Sequence, residues 1–203
     1  MARSTREAIL TATMELLRRK GYDAVGMKEI VAASGAPIGS LYHHFRDGKV
    51  QIAREALINA GDAYAQLIPS VMEAHTDLGD GVEAAFAQAA EDMRATGFAN
   101  MCPVASVAGE VADTVEPLRD ACASVFTSWF DSGAAYFAAR GVPPEVAREV
   151  TVALVGALEG AFVLARTLRD TEALLAAGRA LSPRYRGVAL SPRVVRADVA
   201  PSR

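Results

Sequence analysis

Apolar residues recur three and four positions apart along almost the whole chain, and no stretch alternates polar with apolar as a half-buried strand would. A chain with only that periodicity must bury one face of each helix against other helices, so an all-α fold is expected. Capping signals mark where the helices begin and end. Ser4-Thr5-Arg6-Glu7 forms a capping box, and Arg18, Arg19 and Lys20 followed by Gly21 close the helix it opens. Ile9, Ala12, Leu16 and Leu17 are the expected buried face. A short second helix is expected from about Met27 to Ser34, stopped by Gly35. A third runs from about Pro37 to Phe45, with Pro37 in its first turn, where a missing N–H has no partner to lose.

After Asp47-Gly48 the helices lengthen. The pattern predicts one helix over 49–74, kinked at Pro69, and others over 81–96, 103–112, about 116–140, 144–168 and 171–181, the last ended by Ser182-Pro183. This divides the chain into a three-helix head (1–48), a helical body (49–183) and an Arg-rich tail (184–203) to which the sequence assigns no firm structure. Gly79-Asp80-Gly81-Val82-Glu83-Ala84 imitates a dinucleotide-binding loop, but no strand precedes it, so a helix entry is the better reading.

Charge separates head from body. Residues 1–50 hold eight cations (Arg3, Arg6, Arg18, Arg19, Lys20, Lys28, Arg46 and Lys49) and five anions (Glu7, Glu15, Asp23, Glu29 and Asp47). They are therefore net positive by three, whereas the whole chain is net −3. A basic head on an acidic body suits a nucleic-acid binder with a separate regulatory part. Cys102 and Cys122 are the only cysteines, far apart and in no metal-binding spacing, so no disulfide framework, metal site or cofactor is expected. The start has no apolar leader, and the most apolar later stretch, Val152 to Ala165, contains Glu159; a cytoplasmic protein without a membrane span is expected.

Two short helices joined at a glycine turn suggest a helix-turn-helix. Its second helix must enter the major groove of double-stranded DNA, so it needs apolar anchors inward and small or polar groups outward. Leu41 and Phe45, four apart, supply the anchors. Gly39 lets a backbone come close, and Ser40, Tyr42, His43 and His44 can meet phosphates and base edges. Ile38 either touches a thymine methyl or rests on the protein. Lys49 opens the next helix, where N–H groups also favour a phosphate. Lys28 and Pro37 complete the expected DNA-facing set.

Gly21-Tyr22, Met27-Lys28-Glu29-Ile30, Ser34-Gly35 and Gly39-Ser40-Leu41-Tyr42-His43-His44-Phe45 resemble the N-terminal motif of the TetR family of transcriptional regulators, over about the first 57 residues. Met101-Cys102-Pro103-Val104 and the run from Gly39 to Lys49 resemble its LmrA/YxaF-like branch. The resemblance implies an N-terminal DNA-binding domain and a C-terminal helical domain for ligand binding and dimerisation. It implies a homodimeric repressor released from a pseudo-palindromic operator by a small apolar or aromatic effector. Tyr42 and Lys49 stand where the family contacts DNA phosphates. Gly26 replaces the usual hydroxyl cap, which glycine does nearly as well.

In such a body, part of the Met and aromatic set would line a ligand cavity; otherwise the same residues are core. The candidates are Met72, Phe86, Met93, Phe98, Met101, Phe126, Trp129, Phe130 and Phe162, with Tyr136 and Phe137 in the same set and Trp129 and Phe130 preferred. Cys102 at a helix start is read as packing, with redox sensing as the alternative. Val146, Val150, Ala153, Gly156, Ala157 and Gly160 give one helix a smooth face, a candidate dimer interface. Two other readings remain open. One is an enzyme with a helical apolar pocket, against which stands the lack of HExxH, GxSxG or P-loop motifs. The other is a DNA-binding regulator without a ligand.

Overall fold

The computed structural model describes residues 4–99 and 101–191. Ten helices follow one another among them: α1 (Thr5–Lys20), α2 (Met27–Ser34), α3 (Ile38–His44), α4 (Gly48–Tyr64), α5 (Leu67–Met72), α6 (Leu78–Ala95), α7 (Pro103–Val111), α8 (Glu116–Ala138), α9 (Pro144–Leu168) and α10 (Glu172–Tyr185).

The expected capping box is formed. Ser4 Oγ accepts the Glu7 N–H at 3.2 Å, and Glu7 Oε2 accepts the Ser4 N–H at 2.9 Å. The buried face of α1 differs from the expected one. Ile9, Leu10, Thr13 and Leu17 are buried, whereas Ala12 and Leu16 are only half-buried. α1 packs against α2, α4 and α7 together, which turns its inward stripe. Thr13 joins the stripe because its hydroxyl donates to Ile9 O at 2.8 Å, leaving no polar atom unsatisfied. Gly35 ends α2 in the left-handed region, and Pro37 is the N-cap of α3 rather than part of its first turn.

The single helix expected over 49–74 is two helices. The carbonyl that Pro69 cannot serve belongs to Ala65, four residues back. α4 stops at Tyr64, and α5 restarts at Leu67, so Pro69 lies in a first turn where no N–H is needed. α6 begins at Leu78, earlier than expected, because Asp77 caps it by accepting the Asp80 N–H at 3.1 Å. Gly79 and Gly81 thus sit in its first turn, and their smallness serves packing. A Cβ on Gly79 would lie 2.6 Å from Ser182 O, and one on Gly81 would lie 2.5 Å from Met72 Sδ.

α10 runs through Pro183 to Tyr185, past the expected stop at Ser182, because Leu174, Gly178, Ser182 and Tyr185 are buried on one face. The chain beyond it is also placed. Val188 O accepts the Leu78 N–H at 2.9 Å, the Leu190 N–H donates to Thr76 O at 2.7 Å, and Leu190 is buried. The first part of the presumed tail is therefore an edge of the body; positions 192–203 lie outside the described residues.

Two cores result. One joins α1–α4 to Val104, Val107 and Val111 of α7 and to Leu118, Cys122 and Val125 of α8. The other joins α5, α6, α9, α10 and the end of α8 around Phe86, Phe137 and Leu154. The head thus shares its core with part of the body, and α4 lies in the shared part. α9 is, by length and composition alone, long and apolar enough to cross a membrane, a test that the core helix of a folded protein also passes. In the fold it packs against α8 and α10.

Candidate nucleic-acid interface and internal cavity

α3 turns Leu41 inward with Phe45 just beyond its end, both fully buried, which fixes its opposite face outward. That face carries Ile38 (50% exposed), Gly39, Tyr42 (55% exposed) and His43, with Pro37 exposed at its start. Ser40 and His44 are half-buried at its margins, and Lys28 is exposed on α2. Nothing lies within 4 Å of where a Cβ on Gly39 would stand, so the protein's own packing does not require a glycine there. An exposed Ile and Tyr on a short helix beside open backbone make a surface suited to groove contact.

Lys49 departs from the simple picture of a free cation. It is half-buried, its Nζ 3.9 Å from the centre of the Tyr22 ring and 3.5 Å from Asp23 O. The turn holding those two residues is itself fixed from the body. Glu110 of α7 accepts the backbone N–H groups of Tyr22 and Asp23 at 2.5 and 2.8 Å. Gly21, at φ 76°, is needed beside it, since a Cβ there would lie 2.6 Å from Glu110 Oε2. No sequence motif singles out Glu110; its role depends on a contact between distant parts of the chain.

The body encloses a cavity of about 980 Å³ between α4–α6, α8 and α9, with Arg18 of α1 and the start of α7 at one end. Its volume is in the range of drug-sized ligand sites. Met93, Met101, Trp129 and Phe162, all on the expected list, line it. Met72, Phe86, Phe98, Phe126 and Phe130 do not. Met72 and Phe86 are fully buried in the body core against Gly81 and Gly178. Phe98 is turned by its positive φ of 60° toward Arg169, whose guanidinium lies 5.8 Å from the ring. Phe126 meets Trp129 edge-on at 5.6 Å, from behind the wall. Phe130, next to Trp129, is half-buried on another side of α8.

Tyr136, also in the expected set, lines it too, but the sequence reading missed the rest of the polar part of the wall: Arg18, Tyr64, Arg140 and Glu159. Arg140 donates to Tyr136 Oη at 2.8 Å and to His75 O at 3.0 Å. Arg18 pairs with Glu15 at 3.2 Å and lies 6.0 Å from the centre of the Tyr64 ring. Burial pushes the Glu159 carboxyl up to about 7, against the opposing effect of a hydrogen bond from Cys102. One usable signal was present: Glu159 is the lone charge in the apolar stretch 152–165. Cys102 is buried at the N-cap of α7, and burial together with Glu159 raises its thiol pKa well above the ordinary value, which disfavours the reactive thiolate.

Trp129 connects this wall to the helix that leads to the head. Its Nε1 donates to Gly61 O of α4 at 2.8 Å, and Tyr64, one turn on, also lines the cavity. Gly61 is small for a reason, since a Cβ there would lie 2.6 Å from Val125 Cγ1.

The candidate dimer residues divide. Val150 is fully buried in the body core, and Val146 and Ala157 pack against that core, so these three face inward. Ala153 is half-buried, and Gly156 and Gly160 are exposed. The outward face also includes Val152, Val163, Leu164 and Leu168, which the sequence reading did not select. Among the described residues, no group of three or more His, Cys, Asp or Glu side chains is gathered to hold a metal.

Comparison with known proteins agrees with this architecture. Residues 9–60 match the bacterial regulatory proteins of the tetR family, and residues 79–180 match the C-terminal domain of LmrA/YxaF-like transcriptional regulators. The HTH-type transcriptional regulator LmrA of Bacillus subtilis (strain 168) is 33% identical over 171 residues, covering 84% of this chain and 91% of that protein. An uncharacterised HTH-type regulator of the same organism, YxaF, is 34% identical over 171 residues, covering 84% and 90%. The crystal structure of regulatory protein TetR from Rhodobacter sphaeroides superposes with a TM-score of 0.77 at 23% identity, over 89% of this chain and 98% of that one. Regulators of this family bind DNA operators and act as dimers. With head and body each matched in the order the fold places them, the chain belongs to the TetR family of transcriptional regulators, in its LmrA/YxaF-like branch.

Proposed function

We propose that this regulator is a homodimeric repressor that holds a pseudo-palindromic operator through α3 and leaves it when a small apolar or aromatic molecule enters the body cavity. The observation that carries this reading is the course of α4. It starts at Gly48, next to Lys49 and beside the DNA-facing helix, and about 25 Å later, at 1.5 Å per residue, ends in the cavity wall at Tyr64. The Trp129–Gly61 hydrogen bond ties its far end to α8. A ligand against Trp129 that prefers one setting of α4 shifts the head by its differential affinity for the two settings. On the DNA side, Tyr42, Ser40, His43 and His44 meet phosphates and base edges, and Ile38 packs on a thymine methyl.

Two heads must reach successive grooves together, so the dimer sets the half-site spacing. We assign the second copy to the outward face of α9. Val152, Val163, Leu164 and Leu168 are exposed apolar side chains there, and no atom approaches within 4 Å of the Cβ positions of Gly156 and Gly160. That row of apolar side chains and open glycines suits a close helix contact between copies.

The test is selection of bound duplexes from a randomised pool, followed by a search for compounds that quench Trp129 fluorescence. Two inverted half-sites and release of the selected duplex by a quenching compound are expected. Equal retention of all duplexes would defeat the operator reading. Quenching without release by any bound compound would leave a regulator whose cavity does not govern DNA binding.

A further inference from the structure

Among the described residues, three buried side-chain atoms in the cavity wall lack a hydrogen-bond partner, Glu159 Oε2, Arg18 Nε and Arg140 Nε, and only the first belongs to an anion. Glu159 Oε2 is sealed from solvent and has no hydrogen-bond partner. A buried carboxylate costs several kcal/mol unless it is paired, so such a group within a ligand-sized space marks where a complementary charge would gain most. The cations nearby do not supply that charge. Arg18 is engaged with Glu15 and the Tyr64 ring, and Arg140 with Tyr136 and His75 O. The titratable groups that interact with Glu159 are Cys102 at the start of α7, its one polar contact, and Tyr64 of α4, which in turn interacts with Arg18 and Glu15 of α1.

The rest of the wall suits a cation with a greasy body. Trp129, Tyr64, Tyr136 and Phe162 present aromatic rings, whose faces attract positive charge, and Met93, Leu154 and Leu158 supply apolar area. An anionic ligand would have to sit near an unneutralised carboxylate, while both arginines are already held by protein groups and each leaves only a buried Nε unpaired. A neutral alcohol could donate to the carboxylate but would leave its charge unbalanced.

We propose that the effector site takes a lipophilic amine, its protonated nitrogen pairing with the Glu159 carboxylate and its apolar body packed among Trp129, Tyr64 and Phe162. This rests on the reading of the cavity as the effector site and adds the chemical class of the effector. Binding would replace an unpaired buried charge by an ion pair, so the site would select by charge as well as by shape.

The test uses the full-length protein and three probes sharing one ring system: 1-pyrenemethylamine, 1-pyrenemethanol and 1-pyrenecarboxylate. Quenching of Trp129, the only tryptophan, reports their binding. The pH is set at about 8, above the raised pKa of Glu159 and with a benzylic-type ammonium still largely protonated. The amine is expected to bind about tenfold or more tighter than the alcohol, as befits a hydrogen bond to a charged group, and the carboxylate weakest. Glu159→Gln should abolish the preference for amine over alcohol. Equal affinities for amine and alcohol in the wild type, or a preference that survives Glu159→Gln, would overturn the proposal while leaving the cavity as the binding site. The wild-type comparison decides even if the variant does not fold. Failure of all three probes to quench Trp129 would instead remove the cavity reading, and this proposal with it.

Discussion

Glu110 of α7 holds the backbone of Tyr22, its Oε2 accepting the Tyr22 N–H at 2.5 Å while Oε1 accepts that of Asp23 at 2.8 Å. The turn so fixed carries the ring and the carbonyl oxygen against which Lys49 Nζ rests. A side chain of the body therefore sets the surroundings of the lysine proposed to meet DNA, 88 residues away from its own partner in sequence. Glu110→Ala should leave two N–H groups without their acceptors, costing about 1–3 kcal/mol. The expected outcome is a lower melting temperature and weaker operator binding, read by thermal melts and duplex titration. Unchanged values for both would show that the turn holds its shape unaided.

Tyr42 and Lys49 should separate in their effects. Tyr42 is exposed and has no role in the core, so Tyr42→Phe is expected to weaken operator binding with an unchanged melt. Lys49→Ala would lose the proposed phosphate contact and also the contact with the Tyr22 ring, worth about 0.5–1 kcal/mol. It should lower both affinity and stability, and reduce the salt slope of binding by about one unit per head. Operator titrations across a salt series, paired with melts, distinguish the two variants. Equal affinity of both variants and wild type would mean that α3 does not face DNA.

The sequence made the head easy to read and the body harder, for a physical reason. Ser4, Gly35 and the Leu41–Phe45 pair act through neighbours a few residues away, so their roles are visible in local spacing. The cavity wall depends on which face of each helix turns inward, and that is decided by partners far along the chain. Phe126 and Trp129 are three residues apart on α8, yet one backs the wall and the other lines it. Val150 looked like a surface residue because it shares a face with small residues, but α9 is wrapped far enough to bury it. Glu110 and Gly61 had no local signature at all, since each is explained by one distant atom.

The α9 face gives a sharp test of assembly. Leu164 is 52% exposed, so Leu164→Arg should hardly alter the fold of one copy. Placed between two copies, it would bury a charge without a partner. Sedimentation velocity should show a shift toward monomer, with operator binding lost in parallel. A dimer that persists would move the interface to another surface.

Glu159 links stability to pH with a definite sign. Its folded pKa of about 7 lies above the ordinary 4.5. The stability it contributes is therefore fully present below about pH 4.5 and is lost as pH rises through about 7. A shift of this size corresponds to about 3 kcal/mol. Glu159→Gln carries no charge to bury, so it should melt higher than wild type at about pH 8, with the gap closing near pH 5. Paired melts across that range check it; a gap that widens toward acid would mean that the carboxylate is stabilised in the fold.

The last prediction concerns the Trp129–Gly61 hydrogen bond as the joint between cavity and head. Trp129→Phe keeps an aromatic ring in the wall but removes the N–H that reaches α4. Ligand should still bind, with affinity reduced modestly by the lost ring area. What should change is coupling. If ligand acts by favouring one setting of α4, operator and ligand weaken each other by the same factor, because that reciprocity is required at equilibrium. In the wild type, calorimetric titration of a bound compound with and without operator duplex should give two affinities whose ratio equals the loss of DNA affinity caused by the same compound. In Trp129→Phe the ratio should move toward one, since the wall can respond to ligand while α4 is no longer held to it. A variant that binds ligand more weakly yet retains the wild-type ratio would show that the signal reaches the head by another path, and the Glu110 contact with the Tyr22 turn would then be the route to test.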